Sequence, residues 1–96
     1  MIRLVLTDAL RAAISRCIWF EPPEHAIERP ARVAAYILTY GTHKDTEALR
    51  AQLTDPDLLQ LLDTAPPGIF DGRSWAYWNL VVGRFSPPPL PRRVLS

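Results

Sequence analysis

The sequence predicts an all-α fold: four to five short helices in one compact domain, residues 1–85, followed by a proline-rich tail, residues 86–96. Ninety-six residues suffice for a single domain and no more. Ten prolines against four glycines favour short helices punctuated by proline over a β-protein built on glycine turns. Apolar residues recur at helical spacing, and no alternating segment finds a second one to pair with.

Ile2, Leu4 and Leu6 alternate with Arg3 and Val5, which suits a short extended lead-in as well as the start of a helix. Thr7 or Asp8 can cap a helix through Ala9, Leu10, Ala12 and Ile14 to about Cys17, a stretch rich in strong helix formers. Ile18-Trp19-Phe20 then runs into Glu21-Pro22-Pro23, and two consecutive prolines break a helix. A second helix is expected from Pro30, which suits a first helical position, to Tyr40. Its Val33, Tyr36, Ile37 and Tyr40 recur at i, i+3, i+4 and i+7 and define one face. Gly41 is expected as a left-handed stop, and Thr42 can cap the next helix with Asp45 three residues on.

The third helix carries Leu49 and Leu53. Asp55-Pro56 reads as N-cap and first position of a fourth, made apolar by Leu58, Leu59, Leu61 and Leu62. Ala65-Pro66-Pro67-Gly68 is a second hard break, and Asp71-Gly72 marks a turn in the loop that follows. Ser74 can cap the last helix, from Trp75 to about Arg84. The tail Ser86-Pro87-Pro88-Pro89-Leu90-Pro91 has the composition of polyproline II.

Net charge is +1, but it is unevenly distributed along the chain. Residues 1–20 hold Arg3, Arg11 and Arg16 against Asp8, a net +2. Residues 21–63 hold eight acids against four bases, a net −4, and residues 64–96 return to +3. Four arginines spread over the last segment are a weak footprint for nucleic acid, which needs a concentrated basic face. The acidic middle could meet a basic partner, although an ordinary solvated surface explains it as well.

The longest uncharged run, between Arg32 and Lys44, falls far short of the roughly 20 residues that cross a bilayer, so no membrane span is expected. Arg3, Asp8, Arg11 and Arg16 interrupt any secretory apolar core, and Cys17 is alone, so the chain is read as cytoplasmic.

Few residues of the sequence are arranged for chemistry. Glu21, Glu24, His25 and Glu28 superficially resemble a carboxylate–histidine metal cluster, but Pro22 and Pro23 disturb the helix that would align Glu21, and a second ligand pair is missing. Acids after Pro-Pro are explained equally well by the charge preference of a helix N-terminus. Cys17, between an alanine-rich helix and Ile18-Trp19, reads as a buried small apolar residue. No Gly-x-Ser-x-Gly or phosphate-loop spacing occurs. The expectation is a protein that is not an enzyme and carries no cofactor or metal.

The unusual block is the last helix. Trp75, Trp78, Val82 and Phe85 share one face, while Tyr77, Leu80, Val81 and Arg84 cover much of the other. A helix apolar nearly all round is central to a core or shared with a partner, and Trp, Tyr and Arg are enriched at interface hot spots. Trp75, Tyr77, Trp78, Arg84 and Phe85 are therefore the candidate partner-binding residues. The tail also matches a Pro-x-x-Pro-x-Arg ligand pattern, from Pro88 to Arg93, of low specificity.

Trp19-Phe20, the segment Arg32-Val33-Ala34-Ala35-Tyr36-Ile37-Leu38-Thr39-Tyr40-Gly41 and the late Trp75-Ala76-Tyr77-Trp78-Asn79-Leu80 together resemble a family of small uncharacterised bacterial helical proteins. These occur beside abortive-infection-type nucleotidyltransferase toxins, in the position of an antitoxin. The resemblance covers about residues 19–85 and implies a non-catalytic, protein-binding role toward such a toxin. Self-association through the same surface is compatible with it. The alternative is a small DNA-binding regulator, with the third and fourth helices as a helix-turn-helix and Arg50 and Arg73 near phosphate. Against this, Asp55, Asp57 and Asp63 put acids where a recognition helix wants bases.

Overall fold

The computed structural model describes residues 2–91 and forms six helices among them. They are α1 (Asp8–Cys17), α2 (Pro23–Ala26), α3 (Pro30–Tyr40), α4 (His43–Arg50), α5 (Asp55–Asp63) and α6 (Gly72–Val81). The fold is all-α, with a single turn, α2, added to the helices read from the sequence. That turn begins on Pro23 with Pro22 as its extended N-cap, positions where a missing N–H costs nothing.

Residues 2–7 form the extended lead-in. Ile2, Leu4 and Leu6 turn toward the core while Arg3 and Val5 face water, as the alternation requires. Gln52 holds this segment as a neighbouring strand would: its Nε2 donates to the Val5 carbonyl at 2.8 Å and its Oε1 accepts from the Val5 N–H at 2.6 Å. Thr7 then caps α1 by accepting from the Leu10 N–H.

α3 is the hub, packing on α1, α2, α4, α5 and α6. Its buried arc is Val33, Ala34, Ala35, Ile37 and Leu38, and the two alanines, with Ala13 of α1, let backbones approach closely. Of the two tyrosines grouped with Val33 and Ile37 by periodicity, Tyr36 is half-buried against the core at the edge of that face, and Tyr40 is exposed.

The junction of α3 and α4 corrects one expectation. Gly41 is extended (φ −73°, ψ 157°), not left-handed. Glycine is required there by space: a Cβ would lie 2.6 Å from the Ile37 carbonyl oxygen and 2.9 Å from the Asp45 Cβ. Thr42 and Asp45 close a reciprocal capping box at the start of α4. The Asp45 carboxylate, 1% exposed, also accepts from Arg16 of α1, with Nε at 3.0 Å.

Three further boundaries shift. Thr54, not Asp55, is the N-cap of α5, forming a second box with Asp57 and moving Pro56 from the first to the second helical position. Asp71, not Ser74, caps α6 and accepts from the Ser74 N–H at 2.7 Å. α6 ends at Val81 instead of Arg84 because Gly83 takes the left-handed conformation (φ +90°). The Arg84 N–H reaches the Asn79 carbonyl and the Gly83 N–H the Leu80 carbonyl, a Schellman ending.

The uneven charge along the sequence is resolved in space. Arg11 and Arg16 of the basic start pair with Glu24 and Asp45 of the acidic middle, and Arg84 pairs with Asp63. Most of these pairs are solvated and add little each, so the acidic middle is largely neutralised within the chain.

Burial of Trp78 and exposure of Trp19 predict opposite costs. Trp78→Ala should lower stability by about 3–5 kcal/mol and Trp19→Ala should stay within about 0.5 kcal/mol of the parent, measured by urea unfolding. Arg16, followed by Thr42, holds the Asp45 carboxyl below the usual carboxylate range against the opposing effect of burial. Its folded-state value is depressed, so its contribution is present at neutral pH and fades as pH falls below about 4. The gap in melting temperature between the parent and Asp45→Asn should therefore narrow below that pH.

Candidate functional site

The five residues expected to contact a partner are divided by the fold. Trp75 and Trp78 are core residues, 5% and 8% exposed. The Trp78 indole N–H donates to the Leu38 carbonyl at the end of α3, and that of Trp75 to the Pro88 carbonyl, each at 2.8 Å. Phe85 lies beyond the Schellman turn, which swings it off the tryptophan face to 84% exposure. Tyr77 is 56% exposed on the outer face of α6. Arg84 is held by Asp63 and by the Asn79 side chain. The continuous face of Trp75, Trp78, Val82 and Phe85 is therefore not formed.

The tail returns over α6. Besides accepting from Trp75, it packs Leu90 against the core and places the Pro91 carbonyl 3.4 Å from the Gly68 N–H. Arg92 and Arg93, which complete the Pro-x-x-Pro-x-Arg pattern, lie outside the described residues.

An exposed aromatic surface is found elsewhere, where α1 gives way to α2 beside α3. Trp19 and Phe20 meet edge to face at 5.5 Å, Phe20 meets Tyr36 at 5.9 Å, and Tyr36 meets Tyr40 at 6.1 Å between ring centroids. Trp19 is 80% exposed, Tyr40 64% and Phe20 51%. Four rings thus form one continuous ridge. Arg32, Tyr36 and Tyr40 follow one another by four residues on α3, so the ridge has a helical base. The Arg32 guanidinium lies 5.7 Å from the Phe20 ring centre and 5.3 Å from that of Tyr36, and donates to Glu21 at 2.7 Å.

A groove of about 360 Å³ runs beside the ridge, lined by Arg16, Cys17, Trp19, Phe20, Tyr36 and Tyr40. Asp45 fixes Arg16, so the capping box of α4 also holds one wall of this groove. Cys17 is buried, and burial pushes its thiol above the ordinary cysteine range, away from reactivity.

The suspected metal cluster is dispersed by ion pairing. Glu21 accepts from both Arg32 and His25, Glu24 turns to Arg11, and Glu28 stands 3.9 Å from His25. Among the described residues no group of three or more His, Cys, Asp or Glu side chains is placed to hold a metal ion. Arg50 and Arg73 do come together, on the lining of a cleft of about 490 Å³ between α4 and α6. α4 packs on α1 and α3 while α5 packs on α3, unlike the mutually packed pair of a helix-turn-helix. Among the described residues no helix is long and apolar enough to cross a membrane.

No family model matches the chain, and neither a curated protein nor a solved structure gives a significant match.

Proposed function

We propose that this chain is a non-catalytic protein-binding module, acting as an antitoxin or accessory subunit of a nucleotidyltransferase-type toxin, and that the Trp19–Phe20–Tyr36–Tyr40 ridge is its principal contact. The observation that carries the surface is the continuity of four rings, three of them at least half in water. A fully exposed aromatic side chain offers roughly 150–250 Å², so at these exposures the ridge reaches the few hundred Å² of the largest apolar patch on a monomer, which is often functional. Its anchors are residue types favoured at hot spots, and helical backbone on α3 keeps the ordering cost of binding low.

Charge supports a contact dominated by apolar burial. Arg16, Arg32 and Glu21 around the ridge are already paired within the chain, so docking there needs no strongly charged partner face. Phe85 also remains exposed. The class of partner rests on the resemblance of residues 19–85 to antitoxin-like proteins, independently of the argument for the surface.

Co-expression with a nucleotidyltransferase-type toxin from the same gene neighbourhood, followed by light scattering, tests this. A stable complex is expected, with Trp19→Ser plus Tyr40→Ser weakening it at least tenfold while leaving the fold intact. Absence of a complex would overturn the partner. A complex indifferent to those substitutions but lost in Tyr77→Ser would overturn the ridge as its site.

A further inference from the structure

The cleft between α4 and α6 is separate from the aromatic ridge and has a different chemistry. Leu38 and Trp78 line it, and its polar groups come from both helices: His43, Glu47 and Arg50 from α4, Arg73 and Tyr77 from α6. Its volume of about 490 Å³ lies in the range of small-molecule sites, roughly 300–1,000 Å³.

The cationic groups are incompletely used by the protein. Arg50 donates from Nη2 to Asp55 at 2.9 Å, while its buried Nε–H finds no acceptor. Arg73 makes no ion pair among the described residues. Glu47, the acid on the lining, stands 2.9 Å from the His43 ring nitrogen. Both arginines line the one cavity; the unpaired Nε–H of Arg50 is itself buried, so the groups that can meet a ligand there are the remaining Arg50 donors and the guanidinium of Arg73.

Guanidinium forks favour phosphate and carboxylate oxygens, which they can engage through two parallel hydrogen bonds. Beside them stands Tyr77, more than half exposed, with its ring edge to face against Trp78 at 4.9 Å. An exposed phenol ring next to two arginines suits a ligand that joins a flat ring to an anion. Asp71 already occupies the Ser74 N–H at the start of α6, so the anion is met by side chains and not by the helix end.

We propose that this cleft binds a small organic phosphate bearing a flat ring, of nucleoside-monophosphate size, with Arg50 and Arg73 on the phosphate and Tyr77 against the ring. The site is independent of the protein-docking ridge, and either can fail without the other.

Titration of the ¹⁵N-labelled full chain with AMP, inorganic phosphate and adenosine, followed by amide chemical shifts, tests it. AMP is expected to move the amides of Arg73, Ser74 and Tyr77 and to bind at least tenfold more tightly than phosphate or adenosine. Arg73→Gln and Arg50→Gln should each weaken AMP about tenfold or more with the rest of the spectrum unchanged, and Tyr77→Ala should bring AMP down to the affinity of phosphate. No response to AMP at millimolar concentration would overturn the proposal. So would AMP binding that ignores both arginine substitutions, or equal affinity for AMP and phosphate, which would leave an anion site without a ring contact.

Discussion

Asp45 is the constraint on which the arrangement of helices depends. A carboxylate almost wholly removed from water must have its lone pairs filled, and here two donors fill them while a third element makes room. Arg16 arrives from α1, the Thr42 N–H from the turn before α4, and Gly41 at the end of α3 yields the space in which the carboxylate-bearing side chain sits. Removing either partner leaves an uncompensated group, so α1, α3 and α4 are locked in one register. The same contact sets the position of Arg16 on the groove beside the aromatic ridge, linking the buried node to the surface proposed for binding.

The three tryptophans divide by whether the indole N–H finds a carbonyl within the chain. Trp75 and Trp78 do, on Pro88 and Leu38, and they hold the tail and α6 against the rest of the chain. Trp19 and Phe20 precede two prolines that turn the chain before the rings can be covered, and so they remain in water on a helical support. The chain thus spends two of its three tryptophans on cohesion and leaves the third outside.

Much of the fold was legible in residues that act locally. Thr7, Pro30 and the Thr42–Asp45 box mark helix starts through contacts within four residues, and the structure keeps each of them. Gly41 does mark the end of α3, but through space and not through a left-handed backbone: a Cβ there would meet the Ile37 carbonyl oxygen and the Asp45 Cβ, the latter brought close by the fold of α4 onto α3. Asp71 takes the cap of α6 from Ser74: its carboxylate accepts from the Ser74 N–H, so the helix starts one turn earlier and Ser74 becomes its third residue. The candidate site was less legible. Tryptophan is favoured both in cores and at hot spots, and what decides between them for Trp78 is a carbonyl forty residues distant. Likewise, periodicity placed Tyr36 and Tyr40 with Val33 and Ile37, but only the packing of α1 against α3 sets where the covered arc ends.

The most direct test of this division of aromatic residues is ¹⁹F NMR of the chain labelled with 5-fluorotryptophan, comparing spectra in H₂O and D₂O. Three resonances are expected, of which the one assigned to Trp19 by substitution shows a large solvent isotope shift while those of Trp75 and Trp78 show little. A large shift at Trp75 or Trp78 would contradict the account, since it would put α6 in solvent, and a small shift at Trp19 would remove the exposed end of the ridge.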